Sequence, residues 1–416
     1  MSKVKEILRY YENLNKKAEV RLDILPIIFR CDEYDKLKDL GCDSVNMNEY
    51  QFGRLGDKSL EMAMELLEDR NIKIVMGLWK GWFKEYGIER AFKYDFSKHP
   101  SINEIYAYDE PDFEQIEMCK KIHDELELAF PNFKVSTNLY PAYCPEDVLG
   151  ATYDEYILHF FDLIVKNQEK KIVSCDFYPF ELRNKLPAMN ELWAYNHMLF
   201  AEQAKKYGAE LEWCIQTSNY HMHRVVTKED VLMQIYMGLA FGVTTFTCFT
   251  FATPLINVDF PNGCEAMIGA NYQPTSMYYA TQDAIKELRK IEKFCTPFSY
   301  NGAQTYIGKN NFKGVRADFD CLTDNTPKIK EFKCISNVEF SEDGIVTEAI
   351  DKEQNRYGYY FINYNDPIEK KYNKVTFNLK DAEGCIVVID GEAKECKGNK
   401  IEFIVGFGAG AFVIPF

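Results

Sequence analysis

The sequence predicts an α/β chain: a (β/α)8 TIM barrel followed by a C-terminal antiparallel β-sandwich. Three observations carry this. Short apolar runs alternate with amphipathic helical segments eight times, the count of that barrel. The first run leads into Pro26 and then Arg30-Cys31-Asp32, without the glycine-rich turn that opens most doubly wound sheets. Near residue 296 the helical period stops, and short alternating runs separated by Asn, Asp and Gly turns take over.

Residues 1–19 read as a charged helical segment, 20–295 as the barrel and 296–416 as the sandwich. Barrel strands are expected at 22–29, 44–48, 72–79, 105–108, 134–140, 172–178, 211–216 and 244–251. Helices are expected near 33–40, 58–70, 83–92, 112–130, 153–168, 188–207, 228–241 and 276–294. Sandwich strands are expected at 356–363, 374–379, 385–389, 400–405 and 411–416. Parity sorts the barrel faces, because alternate strand residues point opposite ways. Glu212, Cys214 and Gln216 oppose Leu211, Trp213 and Ile215, and Ser174 and Asp176 oppose Val173, Cys175 and Phe177. The polar sets belong to the barrel interior and its C-terminal mouth, where the active sites of this fold collect.

Composition narrows the function. The formal charge of −15 over 416 residues, with no basic stripe, argues against nucleic acid as a partner. No apolar run is long enough to span a bilayer, so no membrane partner is expected. Met1-Ser2-Lys3-Val4-Lys5-Glu6 lacks the apolar core of a signal peptide, which makes the expected location cytoplasmic. The 13 cysteines are scattered singly with no CxxC pair, so buried reduced thiols are expected rather than a zinc site. His221-Met222-His223 has no obvious third ligand nearby, so no metal and no cofactor are expected.

Candidate chemistry lies at strand ends. Strand four ends in Tyr106-Ala107-Tyr108-Asp109-Glu110-Pro111, where parity groups Glu110 with Tyr106 and Tyr108 on the mouth face. Strand five ends in Asn138-Leu139-Tyr140-Pro141, strand six in Asp176-Phe177-Tyr178-Pro179-Phe180, and strand seven in Gln216. Trp79 ends strand three, and His221 follows strand seven.

These motifs occur in order with Ile215-Gln216-Thr217, Leu239-Ala240-Phe241-Gly242 and Phe249-Thr250-Phe251-Ala252-Thr253-Pro254. Over about residues 30–295 the chain resembles a group of bacterial barrel glycoside hydrolases. Through them it is similar to the catalytic domains of family 42 β-galactosidases and the wider clan A barrels. The resemblance implies an acid/base at Glu110 and a glutamate nucleophile at the end of strand seven, where this chain has Gln216. It also has Asp109-Glu110 in place of the usual Asn-Glu pair.

A second carboxylate is therefore needed. Asp176 is the first choice and Glu49 the second, with Glu212 too deep. One strand separates strands four and six, which suits the wider carboxyl gap of an inverting enzyme. On this reading Glu110 is the general acid, its pKa raised among Tyr108, Tyr140 and Tyr178, and Asp176 stays ionised. Trp79, Asn138, Tyr140, Tyr178, Gln216 and His221 are expected to bind a carbohydrate substrate, and Arg224 would suit an acidic group on a decorated sugar. The alternative is a catalytically inactive carbohydrate-binding barrel. An isomerase or lyase on this fold would want a metal or phosphate site, which the sequence does not offer.

Overall fold

The computed structural model describes residues 3–24, 31–48, 57–77, 99–254, 264–307 and 332–416. Eight parallel strands close into a barrel: β1 (Glu19–Asp23), β2 (Ser44–Asn48), β3 (Lys73–Gly77), β4 (Ile102–Asp109), β5 (Lys134–Leu139), β6 (Ile172–Asp176), β7 (Glu210–Gln216) and β8 (Val243–Phe249). Each strand pairs with its neighbours in chain order, and β8 pairs back onto β1 with Arg21 opposite Thr247. A strand is present for each of the eight expected, but the first runs Glu19–Asp23, three residues earlier than expected, and residues 25–29 of its expected span lie outside the described residues. The expected helix at 83–92 lies outside the described residues.

α1 (Lys3–Leu14) precedes the barrel. The helical layer comprises α2 (Cys31–Asp39), α3 (Asp57–Glu68), α4 (Ile116–Ala129), α5 (Tyr153–Leu163), α6 (Trp193–Tyr207), α7 (Lys228–Ala240) and α8 (Ser276–Cys295). Starts are fixed locally. Thr152 and Glu155 form a capping box on α5, and Thr227 and Asp230 form one on α7, each satisfying otherwise unpaired N–H groups. α6 begins five residues later than expected, because Phe180–Arg183 and Leu186–Met189 pair as an antiparallel hairpin instead.

The C-terminal unit is two antiparallel sheets. β9 (Ser299–Ile307), β11 (Gly344–Asp351), β12 (Arg356–Asn363), β17 (Gly410–Pro415), β14 (Gly384–Ile389) and β15 (Glu392–Lys397) form one, in that order. β10 (Ile335–Phe340), β13 (Asn373–Leu379) and β16 (Lys400–Val405) form the other. Every expected sandwich strand is found, with four more.

The barrel and sandwich share a continuous core. α7 is buried on every side from Asp230 to Ala240, because it packs between the barrel wall and the sandwich sheet. The approach is close at Gly410, where a Cβ would lie 2.5 Å from the ring of Tyr236 on α7. Thr347 Oγ1 donates to the Ala240 carbonyl at 2.7 Å, and Tyr360 OH to that of Cys295 at 3.1 Å. α1 packs on α8 and reaches the sandwich as well: Tyr11 OH donates to Asp351 at 3.0 Å.

Candidate active site

The barrel axis is a polar shaft. At its floor Arg21 from β1 is held by Glu104 of β4 at 2.9 Å, Glu212 of β7 at 2.6 Å and Glu19 at 3.0 Å. Ser136 donates to Glu104 at 2.7 Å and Thr247 to Glu212 at 2.5 Å. Burial, with Glu104 adding repulsion against the pull of Arg21, pushes Glu212 up to about 7. This residue is too deep for substrate, as its place in β7 suggested. Ser174 and Cys214 occupy the next level, with oxygen and sulfur 3.9 Å apart.

The top level carries the carboxyl groups. Asp109 ends β4, Asn138 lies on β5 and Asp176 ends β6. Asn138 Nδ2 donates to Asp176 at 2.9 Å and to Asp109 at 3.3 Å, while its Oδ1 accepts from Ser174 at 3.1 Å. Tyr106 OH donates to Asp109 at 2.7 Å. Two carboxyl oxygens on one amide nitrogen repel each other. Burial first, and the Asp109 charge second, push Asp176 up to about 7, against the opposing hydrogen bond from Asn138. This direction runs against the expectation that Asp176 stays ionised, because burial and the Asp109 charge both favour its protonated form.

A β-bulge changes the expected parity of β4. Tyr106 pairs with Ser136 and Tyr108 with Thr137, so Ala107 is the extra residue. Tyr106 and Asp109 therefore share the axial face. Tyr108 turns to the helical layer, where it is buried and its hydroxyl donates to Gln115 at 3.3 Å. It does not wall the mouth, contrary to expectation.

Glu110 follows at a sharp turn. Its backbone is left-handed (φ 48°), a conformation that costs a residue with a side chain about 1–3 kcal/mol, and its N–H donates to the Asn138 carbonyl at 2.9 Å. Tyr143, Cys144 and Tyr220 each feel the charges of both Glu110 and Asp176, which puts the two carboxyls in one electrostatic neighbourhood. Tyr140 is half-buried; burial and the Glu110 charge raise its hydroxyl.

Tyr178 is buried among Phe249, Tyr220 and His223, with ring centroids 5.6–5.7 Å away. His223 is pushed down to about 4 by burial. His221 is exposed and sits edge-on to Tyr220 at 5.3 Å. Tyr143, exposed and edge-on to Phe177 at 5.0 Å, joins this group, as does Asp109. Neither is among the site residues expected from the sequence: Asp109 has the wrong parity without the bulge, and Tyr143 lies in the loop after β5. Trp79 and Glu49 lie outside the described residues.

Gln216 and Arg224 have duties other than those expected. Gln216 is wholly buried; its Oε1 accepts from the Phe180 N–H at 3.1 Å, and its Nε2 donates to the carbonyls of Phe180 and Arg224 at 3.1 and 3.0 Å. Its amide supports backbone and does not present to a sugar. Arg224 is buried in ion pairs with Asp230 and Asp366, both at 2.6 Å, which removes it as a receptor for an acidic sugar.

The fold has counterparts among solved structures. Over 96% of this chain and all of the other, it is similar to α-L-fucosidase isoenzyme 2 from Paenibacillus thiaminolyticus, at 8% identity and a TM-score of 0.50. It is also similar to an endo-1,4-β-mannanase from Rhizomucor miehei, over 66% of this chain and 96% of that one, at 10% identity and a TM-score of 0.42. A third similar chain is a hyperthermophilic endo-β-1,4-glucanase, over 65% and 98% of the two chains, at 10% identity and a TM-score of 0.43. No protein-family model matches the sequence, and no curated protein does. The likeness to the fucosidase is one of fold alone.

Proposed function

We propose that this chain is a glycoside hydrolase acting on an oligosaccharide or glycoconjugate, with Asp176 and Glu110 as its two catalytic carboxyls. The observation that carries the proposal is the environment of Asp176. A carboxyl pushed up to about 7 at a barrel mouth can donate a proton at neutral pH, which a free aspartate cannot. Asp176 protonates the glycosidic oxygen as the bond to the anomeric carbon breaks. With the acid assigned there, Glu110 has the role of base toward water or nucleophile toward the anomeric carbon. Asp109 tunes Asp176 by its charge, and Asn138 orients it.

Tyr140 and Tyr143 supply aromatic walls of the kind that stack on sugar rings, and Tyr178, buried among Phe249, Tyr220 and His223, packs behind the mouth. His221 at the rim extends the surface. The finer likeness, to family 42 and clan A, belongs to this proposal with two departures: Asp109-Glu110 stands in place of the Asn-Glu pair, and no glutamate ends β7. The missing glutamate favours a second reading, a carbohydrate-binding barrel without turnover.

A chromogenic glycoside panel run on wild type, Glu110→Gln and Asp176→Asn decides between them. Each variant should lower kcat at least about 100-fold on a substrate that the wild type cleaves. Sugar binding with no turnover on any member would favour the second reading.

A further inference from the structure

The loops that follow β6 and β7 are knitted into one unit. Besides the Gln216 contacts, the Arg224 N–H donates to the Phe180 carbonyl at 3.1 Å and the Leu182 N–H to that of Met222 at 2.6 Å. Glu181 and His223 form an antiparallel bridge. This unit carries Tyr178, Tyr220, His221 and His223, one side of the mouth.

The unit is tied to the sandwich. The Arg224 guanidinium lies over the Phe180 ring at 4.7 Å and donates two hydrogen bonds to Asp366, at 2.8 and 2.6 Å. Asp366 sits on the turn after β12, which is itself braced. Asn365 Nδ2 donates to the Asp343 carbonyl at 3.0 Å and to Asn363 at 2.7 Å, and Asp366 caps the Ile368 N–H at 3.2 Å. A parallel aromatic path runs from Phe180 to Trp193, at 5.9 Å, and on to Tyr364, at 6.0 Å.

We propose that Asp366 is a positioning residue: through Arg224, the sandwich fixes the paired loops after β6 and β7 against the mouth. The inference rests on the mouth being the reactive site. Docking the domains does not need this ion pair, since the Thr347–Ala240 and Tyr360–Cys295 contacts join them elsewhere. Burying two charges is also a poor route to stability, because apolar packing of similar volume often does as well. A two-pronged guanidinium–carboxylate contact does what apolar packing cannot: it fixes both position and orientation. The Arg224 backbone is the same residue on which Gln216 and Phe180 converge.

The test compares Asp366→Asn with Thr347→Val, which removes an interdomain hydrogen bond that does not touch these loops. Amide hydrogen exchange at Leu182 and Arg224, whose N–H groups make the loop-to-loop bonds, should speed up about tenfold or more in Asp366→Asn. It should stay unchanged in Thr347→Val, and Asp366→Glu should recover part of the protection. The value of kcat/KM should fall about 100-fold in Asp366→Asn, the scale of a small misplacement of binding groups. Unchanged exchange in Asp366→Asn overturns the proposal. Faster exchange with unchanged kcat/KM removes the positioning role and leaves the hydrolase reading standing. Faster exchange in a protein whose wild type cleaves no glycoside supports the anchoring and sinks the hydrolase reading instead.

Discussion

Replacing Asp109 with Asn should lower the pKa of Asp176 without disturbing its surroundings. The two side chains have nearly the same shape, and an Asn oxygen can still accept from Tyr106 OH and from Asn138 Nδ2. Only the charge goes. Both carboxyl oxygens lie on one nitrogen, at 3.3 and 2.9 Å, so they are within about 6 Å of each other. At that distance, with an effective dielectric of about 20, two unit charges repel by about 3 kcal/mol, or about two pKa units. Solvent reaching the mouth reduces this, and burial, the larger cause, is untouched. The expected fall is one to two units, from about 7 toward 5–6. If Asp176 is the acid, kcat/KM declines as it deprotonates, so the alkaline limb of the pH profile should move down by that amount. Carbon-13 carboxyl NMR follows the same titration without a substrate. An Asp176 midpoint within half a unit of wild type in Asp109→Asn would refute the reasoning. It would mean that Asp109 bears no charge to lose or that solvent screens it fully.

Gln216→Ala takes from the Phe180 N–H and the Arg224 carbonyl the partner that Gln216 gives them, while the Phe180 carbonyl keeps its bond from the Arg224 N–H. At about 1–3 kcal/mol for each unsatisfied buried group, less any water that enters, chemical denaturation should show a loss of about 2–4 kcal/mol. A variant as stable as wild type but weaker in sugar binding would restore the ligand role. The pH dependence of stability should show two opposed contributions. Glu212, raised to about 7, contributes stability that is full below its ordinary pKa and is lost as pH rises through 7, at up to about 1.4 kcal/mol per unit. Glu212→Gln should flatten that decline in denaturant midpoints measured from pH 4 to 8. His123, buried between Thr137 and Gln168 and pushed down to about 3, contributes stability present above about 6.5 and lost as pH falls toward 3. His123→Gln should flatten the acid limb.

The barrel was legible because its signals are local. Each strand and each amphipathic helix announces itself within about a dozen residues, and eight repeats of the unit leave few topologies. The sandwich was half legible for the same reason. Gly344–Asp351 is buried on both faces and shows no alternation, while Glu392–Lys397 is an exposed edge rich in charge. Ser299–Ile307 is broken by a register shift between Tyr300 and Gln304. At the site, parity placed Ser174, Asp176, Cys214 and Glu212 on the axis and failed only where the backbone breaks period. One extra residue in β4 exchanged Tyr108 for Asp109. Gln216 has the expected parity, yet its amide went to backbone donors and acceptors from a hairpin that carries little sequence signal. The interdomain ion pair that takes up Arg224 was not legible, because Asp366 lies 142 residues away, in the other domain.

In the proposed mechanism the proton chemistry of the mouth depends on where Arg21 and Arg224, the two buried arginines among the described residues, are spent. A carboxyl stays protonated near neutrality only if no cation compensates its charge. Among the described residues nothing cationic figures among the causes that move Asp176: burial and Asp109 raise it, and hydrogen bonds oppose them. Arg21 points into the same shaft, but three carboxylates at the floor hold its guanidinium. Arg224 lies on the loop after β7, and Asp230 and Asp366 draw it into the domain interface. Free in the mouth, either would pull the pKa of Asp176 back toward that of an ordinary aspartate and remove the acid. With Asp176 as the proposed acid, the acidic floor and the interdomain ion pair serve the site twice: each fixes a piece of the frame, and each holds a positive charge away from Asp176.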